Sequence, residues 1–273
     1  MLNSYQHPTY WRLSISIMCL IVAISSSQLA ESRERELYEK ALNNYERLIQ
    51  QAVKNGLVDY ALLKKNQHFI EHLLYALSVV PINQLQKNEQ LALYINAYNV
   101  FTLRLVLDYW PRIKSIKDIP EYPLSRRWKD QRWQLGNKRI SLRDLKLNYL
   151  RGFKNPMVHL ALSCAALSCP DLYSGVFRAS TLNRQLVAVT RSFLSQNKGL
   201  QWQMESRLVG EPEPVVYLSK IFKREETDFV INGYSLLGFA EEFSPPEFRD
   251  FLLENKNNVQ VKFMSFDWSL NKQ

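Results

Sequence analysis

The segment Asn155–Leu172, NPMVHLALSCAALSCPDL, holds the residues best suited to chemistry: His159, Cys164 and Cys169. A thiolate is a strong nucleophile, and an imidazole within reach can take its proton or pair with it. Read as a buried strand, Met157–Ser163 sends His159, Ala161 and Ser163 to one face. Cys164 lies just past that strand. Proline suits the first helical position, so Pro170 makes Cys169 the expected N-cap of a helix. A thiol there feels the positive helix end and its pKa falls. On this reading Cys169, with Cys164 as the second choice, is the nucleophile of a thiol-dependent hydrolase or acyl transferase, and His159 is its base.

Other readings of the same residues stay open. Four residues, Ala165–Ser168, separate the cysteines, enough to turn the Cα atoms to within ~7 Å for a disulfide. As metal ligands the three give an incomplete set at no standard zinc spacing, so no metal is expected. The spacing is not C-x-x-C, which leaves a redox role without its usual dithiol geometry. Both cysteines also suit a quiet core.

A hydrolytic site needs a group behind the imidazole and a donor for the oxyanion. Asn96 and Asn99, three apart on one helical face, are the candidates. A buried amide left unbonded costs ~1–3 kcal/mol, so these two either line the site or brace a loop. Tyr98, Ser168, Asp228 and Asp267 are candidate binding residues, the last two equally suited to bracing loops. His68 and His72 are four apart, but no further ligand is near, so surface or packing roles are expected. There is no G-x-S-x-G elbow and no glycine-rich phosphate loop, and no cofactor is expected.

The elements that must position these residues are mostly helices early and strands late. Apolar residues three and four apart predict helices over 32–55, stopped by Gly56, and over 63–79. The stretch 87–110, carrying both asparagines, is apolar nearly all round and should be buried. Gly136-Asn137 joins Arg132–Leu135 to Lys138–Ile140 as a hairpin, and Ser141 with Asp144 opens a helix over 142–150. A helix over 180–195, strands over 201–209 and 215–221, helices over 234–242 and 246–254, and a strand over 259–263 complete the reading. This is an α+β domain, its helix-rich N-terminal half packed on a mainly antiparallel sheet.

With 273 residues, 46% hydrophobic and 22% charged, the chain is neither disordered nor fibrous. Residues 31–273 form one expected domain. Ahead of them, Arg12, the apolar run Leu13–Ile24 and Ser25–Ser27 fit a secretory signal or an N-terminal membrane anchor over 1–30. A periplasmic or secreted location follows, with membrane contact only through that segment. Net charge is +9, of which residues 1–30 contribute +1. An exported basic protein can meet an anionic component of the cell envelope, but the basic residues are scattered along the chain, which suits general solubility better. The densest basic group, Arg126, Arg127, Lys129, Arg132, Lys138 and Arg139, is interleaved with Trp128 and Trp133. It matches no nucleic-acid motif, and no nucleic-acid partner is expected.

Several motifs together resemble the bacterial domain-of-unknown-function family 547, also found as a domain in plant proteins. They are Gly56–Tyr60 (GLVDY), Tyr94–Asn99 (YINAYN), Asn155–Leu172, Leu218–Phe222 (LSKIF) followed by Asp228-Phe229, and Phe266–Asn271 (FDWSLN). They span about 56–271. The resemblance implies one domain, usually exported in bacteria, and no particular activity. The family often has Gly where Ala165 stands, Arg where Met157 stands, and Trp-Tyr where Lys223-Arg224 stand. The first bears on a tight turn after Cys164, the second removes an anion ligand, and the third changes a wall of the site. Two hypotheses remain: the thiol enzyme, and a non-catalytic binding or scaffolding domain stapled by Cys164–Cys169.

Overall fold

The computed structural model describes residues 9–120, 128–255 and 258–273. The expected signal therefore lies partly outside the described residues, as do Arg126 and Arg127. Helix α1 (Thr9–Ala52) runs unbroken from the apolar run into the domain. Among the described residues, no helix is long and apolar enough to cross a membrane.

The helix expected to reach residue 55 stops at Ala52. Asn55 and Gly56 both take positive φ (50° and 76°) and close a tight hairpin between β1 (Val53–Lys54) and β2 (Leu57–Val58). Asn-Gly is the pair that such a turn selects. A Cβ on Gly56 would also meet the Asp171 carboxylate, so the position excludes any side chain twice over.

Helices α2 (Tyr60–Lys65) and α3 (Gln67–Val79) follow, then α4 (Lys87–Tyr109), buried along most of its length as its composition requires. Gln86 and Glu89 form a capping box at its start. Strands β3 (Trp133–Leu135) and β4 (Lys138–Ile140) pair around Gly136-Asn137 as expected. The next helix begins at its Ser141–Asp144 capping box but is not uniform. α5 (Leu142–Asp144) passes into a π-helical turn over Leu145–Tyr149, then a 3-10 turn over Leu150–Phe153. Such changes of register re-aim side chains.

Met157–Ser163 is not a strand. Residues Val158–Ala161 form a short helix, α6. A short apolar run carries no periodicity that separates a strand from a buried helix. Here the Asn155-Pro156 turn opens the helix. Asn155 Oδ1 accepts from the Met157 N–H, and the Asn155 and Pro156 carbonyls accept from Val158 and His159. Val158, Ala161 and Leu162 enter a core built on α1–α4, whereas Leu160 enters a second core. The helix lies on the seam between them.

The second core is covered by the C-terminal elements. They are α7 (Leu182–Leu194), α8 (Lys220–Arg224), α9 (Glu226–Val230), α10 (Leu236–Phe243), α11 (Pro246–Glu254) and a three-stranded sheet. In the sheet, β6 (Glu213–Leu218) lies between antiparallel β5 (Leu200–Glu205) and parallel β7 (Gln260–Phe263). The molecule is a single α+β fold. Its C-terminal tail crosses back to the first core, pairing with β2, with Ser115 and with the segment after Cys164.

Candidate functional site

Cys164 and Cys169 are joined as a disulfide, with Cα atoms 5.8 Å apart. No helix begins at Pro170, so Cys169 is not an N-cap; it is buried, and its N–H closes a turn onto the Ala166 carbonyl. In this state neither sulfur is a thiol. Ala165, in the position where the family often has Gly, takes φ 61°. The tight turn forms regardless, at a cost of ~1–2 kcal/mol for a residue with a Cβ.

The loop between the cysteines clamps the C-terminal tail. The Leu167 and Ser168 N–H groups donate to the Ser269 and Asp267 carbonyls, and the Asp267 N–H donates to Ser168 Oγ at 2.8 Å. The Asp267 carboxylate accepts from the Ser269 N–H. Ser168 and Asp267 thus meet, in a clamp that fixes Trp268. Replacing both cysteines by serine should lower stability by about 2 kcal/mol, the loop-closure entropy of so short a ring. Urea denaturation checks this, and reductant should lower the midpoint of the natural chain alone.

Asn96 and Asn99 each close a pair of main-chain groups across the fold. Asn96 Nδ2 donates to the Phe177 carbonyl and its Oδ1 accepts from the Phe177 N–H, both at 2.9 Å. Asn99 does the same for the Ala161 carbonyl (3.0 Å) and the Ser163 N–H (2.9 Å). Neither amide orients the imidazole. Asn99 holds the exit of α6, and so acts on His159 and Cys164 through the backbone.

His159 is turned toward carboxylates. Its Nε2 lies 2.9 Å from Asp228 Oδ2 and its Nδ1 3.7 Å from Glu225 Oε2. All three residues are buried. Burial, with Lys146 close by, holds the imidazole below its ordinary pKa against the pull of Glu225 and Asp228. The neutral ring then donates from Nε2, and Nδ1 has no hydrogen-bond partner. Lys146, on the π-helical turn, reaches Glu225 Oε1 at 2.6 Å, and Arg151, on the 3-10 turn, reaches Asp228 Oδ2 at 2.6 Å. Arg224 stands 3.4 Å from Glu225. Burial raises the Glu225 pKa, but Lys146, His159 and Arg224 outweigh it and the carboxyl sits below its usual range. Burial in turn depresses Lys146 despite Glu225.

By type, His159, Glu225 and Asp228 could hold a metal, since their ligand atoms lie within 4.8 Å of one another. The donor set does not fit one. Lys146 and Arg151 already neutralise both carboxylates, and a divalent ion would sit against two cations. The group is an ion-pair network with a histidine inside it.

On its outer side this network forms part of the wall of a cleft of about 440 Å³. Among the described residues, Lys129, Arg143, Lys146, Arg151 and Arg224 line it, with Glu225 as the one carboxylate. Tyr98, Trp128, Trp268, Leu142, Leu147 and Cys164 complete its lining. On the inner side, a crevice of about 10 Å³, room for one water, lies between His159, Asp228, Lys146 and Arg151.

The expected site residues therefore separate into linked groups. His159 and Asp228 are in the network, Tyr98 and Cys164 on the cleft wall, Ser168 and Asp267 in the clamp behind Trp268, and the asparagines in the scaffold. Glu225, Lys146, Arg143 and Arg151 were not expected. Arg224, read only as a departure from the family pattern, is a cleft cation. Glu225 and Asp228 sit three apart, the one local hint.

No curated protein and no solved structure matches the chain. Residues 82–194, the segment that carries both asparagines, Lys146, Arg151, His159 and the disulfide, match the family model described as "Protein of unknown function, DUF547", which supports the resemblance that the motifs carry.

Proposed function

We propose that this chain is a non-catalytic binding domain for an anionic component of the cell envelope, taken up in the cleft beside His159. One observation carries the reading. Among the described residues, five cations face a space with one carboxylate in its wall and one, Asp228, behind it, an excess of three positive charges. Lys129 and Arg143 are exposed, and neither has an ion-pair partner among the described residues. Clustered charge of one sign in a partly enclosed space concentrates the opposite ion. The Cys164–Cys169 staple supports the binding reading over the thiol enzyme, since it removes the nucleophile and holds Trp268 in place. It also suits an exported chain, as does the apolar run after Arg12.

The test compares dextran sulfate with uncharged dextran by isothermal titration at two salt concentrations. Dextran sulfate should bind, more weakly at high salt, and dextran should not. K129E/R143E should weaken binding about tenfold, as ~1.4 kcal/mol implies. The control K40E/R47E makes the same charge change on exposed α1 residues outside the cleft and should change it much less. Equal losses in the two variants would assign binding to net charge and reject the cleft.

A further inference from the structure

We infer that the anion recognised by this cleft is an acidic polysaccharide, a chain of sugar rings carrying carboxylates. The inference rests on the anion-binding reading and adds the ligand's class. Three features of the wall point to it.

The cations form two tiers. Lys146, Arg151 and Arg224 are already engaged with Glu225 and Asp228 at 2.6 to 3.4 Å, whereas Lys129 and Arg143 have no ion-pair partner among the described residues. A ligand with a single charged group would satisfy one tier. Charges repeated along a backbone can meet both.

Three of the five cations are arginines. The guanidinium fork matches a planar carboxylate by paired hydrogen bonds, which an ammonium cannot do.

Aromatic rings make up much of the remaining wall, beside the buried Leu142, the half-buried Leu147 and Cys164. Trp128 and Trp268 are half-buried and Tyr98 is buried, all lining the same space as the cations. Trp268 is seated against Phe266, with ring centres 4.4 Å apart, and carries Lys117 over its face. Indole surfaces beside cations suit a ligand that presents apolar C–H faces and acidic groups alternately, as pyranose rings with uronic carboxylates do. A lipid surface asks for something else, namely exposed aliphatic side chains that enter the acyl layer. None of the exposed large hydrophobic residues described lines this cleft. Its volume falls within the range of sites that enclose a small ligand or a short stretch of a longer one.

The experiment is titration calorimetry of the full chain against four probes. These are polygalacturonate, its methyl ester, inorganic polyphosphate at equal charge concentration, and phosphatidylglycerol vesicles. Polygalacturonate should bind, and the ester, with the same rings and no charge, should bind at least tenfold more weakly. W268A should weaken polygalacturonate about tenfold and leave polyphosphate unchanged. W268F, which keeps a ring, should recover most of the loss and guards against a folding defect. If polyphosphate or vesicles bind and polygalacturonate does not, the polysaccharide is excluded while the anion reading stands. If W268A and W268F weaken all anions alike, the ring platform is rejected. Equal binding of the ester and the acid, with no binding of the other anions, removes both readings.

Discussion

Replacing Asp228 by alanine should lower the free energy of unfolding by about 3–4 kcal/mol. Asp228 is buried and its Oδ2 serves two donors, Arg151 Nε at 2.6 Å and His159 Nε2 at 2.9 Å. Removing one partner of a buried pair leaves the other charge uncompensated, which costs ~3–5 kcal/mol. The lower part of that range applies, because Arg151 is 39% exposed and can turn partly to water. His159 cannot; its side chain is 7% exposed and would keep an unbonded N–H. Asn in place of Asp228 retains an acceptor and should recover part of the loss, whereas R151A should cost less than D228A. Urea denaturation of the three variants at neutral pH measures this. A D228A loss below about 1 kcal/mol would mean that the network contributes nothing and is held by its surroundings.

The same network sets an acid limit. Glu225 sits below its ordinary carboxyl range, so the unfolded chain binds that proton more readily. Its contribution is present above the unfolded value and is lost as pH falls through the folded one. His159, also depressed, acts in the same direction. The unfolded chain protonates near the usual histidine value of about 6.5 while the fold resists, so stability declines below that pH. Lys146 is depressed too, so it costs stability at neutral pH and this cost fades as pH rises toward the ordinary lysine value. Melting temperature should therefore climb from pH 4 to 7. In a His159→Gln variant, the part of the rise near pH 6.5 should disappear and the part at lower pH remain.

Much of the scaffold was legible because its signals are local. The buried α4, the Gly136-Asn137 hairpin and the Ser141 capping box follow from apolar pattern and turn chemistry within a few residues. Where two local rules competed, the structure chose by contacts far away in sequence. Gly56 fits a helix stop and a hairpin turn, and the hairpin that formed is held by the C-terminal tail, whose Asn271 carbonyl accepts from the Val58 N–H. Met157–Ser163 fits a strand or a helix, and two separate cores needing residues from one segment selected the helix. The site was half legible for the same reason. Its histidine and cysteines stand in one motif. The Lys146–Glu225 pair, by contrast, joins residues 79 apart through a π-helical turn that no sequence pattern announces. The cleft cations read as scattered solvated charges until the fold brought Lys129, Arg143 and Arg224 to one space. The asparagines were legible as buried amides, but their partners were main-chain groups 62 to 81 residues away.

Asn99 consequently carries the second large effect, and alanine there should cost about 3 kcal/mol. The substitution frees two buried main-chain groups at once, the Ala161 carbonyl and the Ser163 N–H. Each costs ~1–3 kcal/mol when left without a partner and without water. Asn99→Asp separates the two halves of the interaction. It keeps an acceptor for Ser163, loses the donor to Ala161 and adds a charge in a position 5% exposed, so it should be at least as damaging as alanine. The exit of α6 then loosens between His159 and Cys164. Hydrogen exchange at Ser163 should accelerate in both variants, while amides of the β5–β6 pair, in the second core, should change only as far as global stability does. Were Asn99 instead a group acting on a ligand in the cleft, N99A would alter anion binding and leave exchange at Ser163 untouched. The hydrogen bonds to both main-chain groups at the exit of α6 require the opposite outcome.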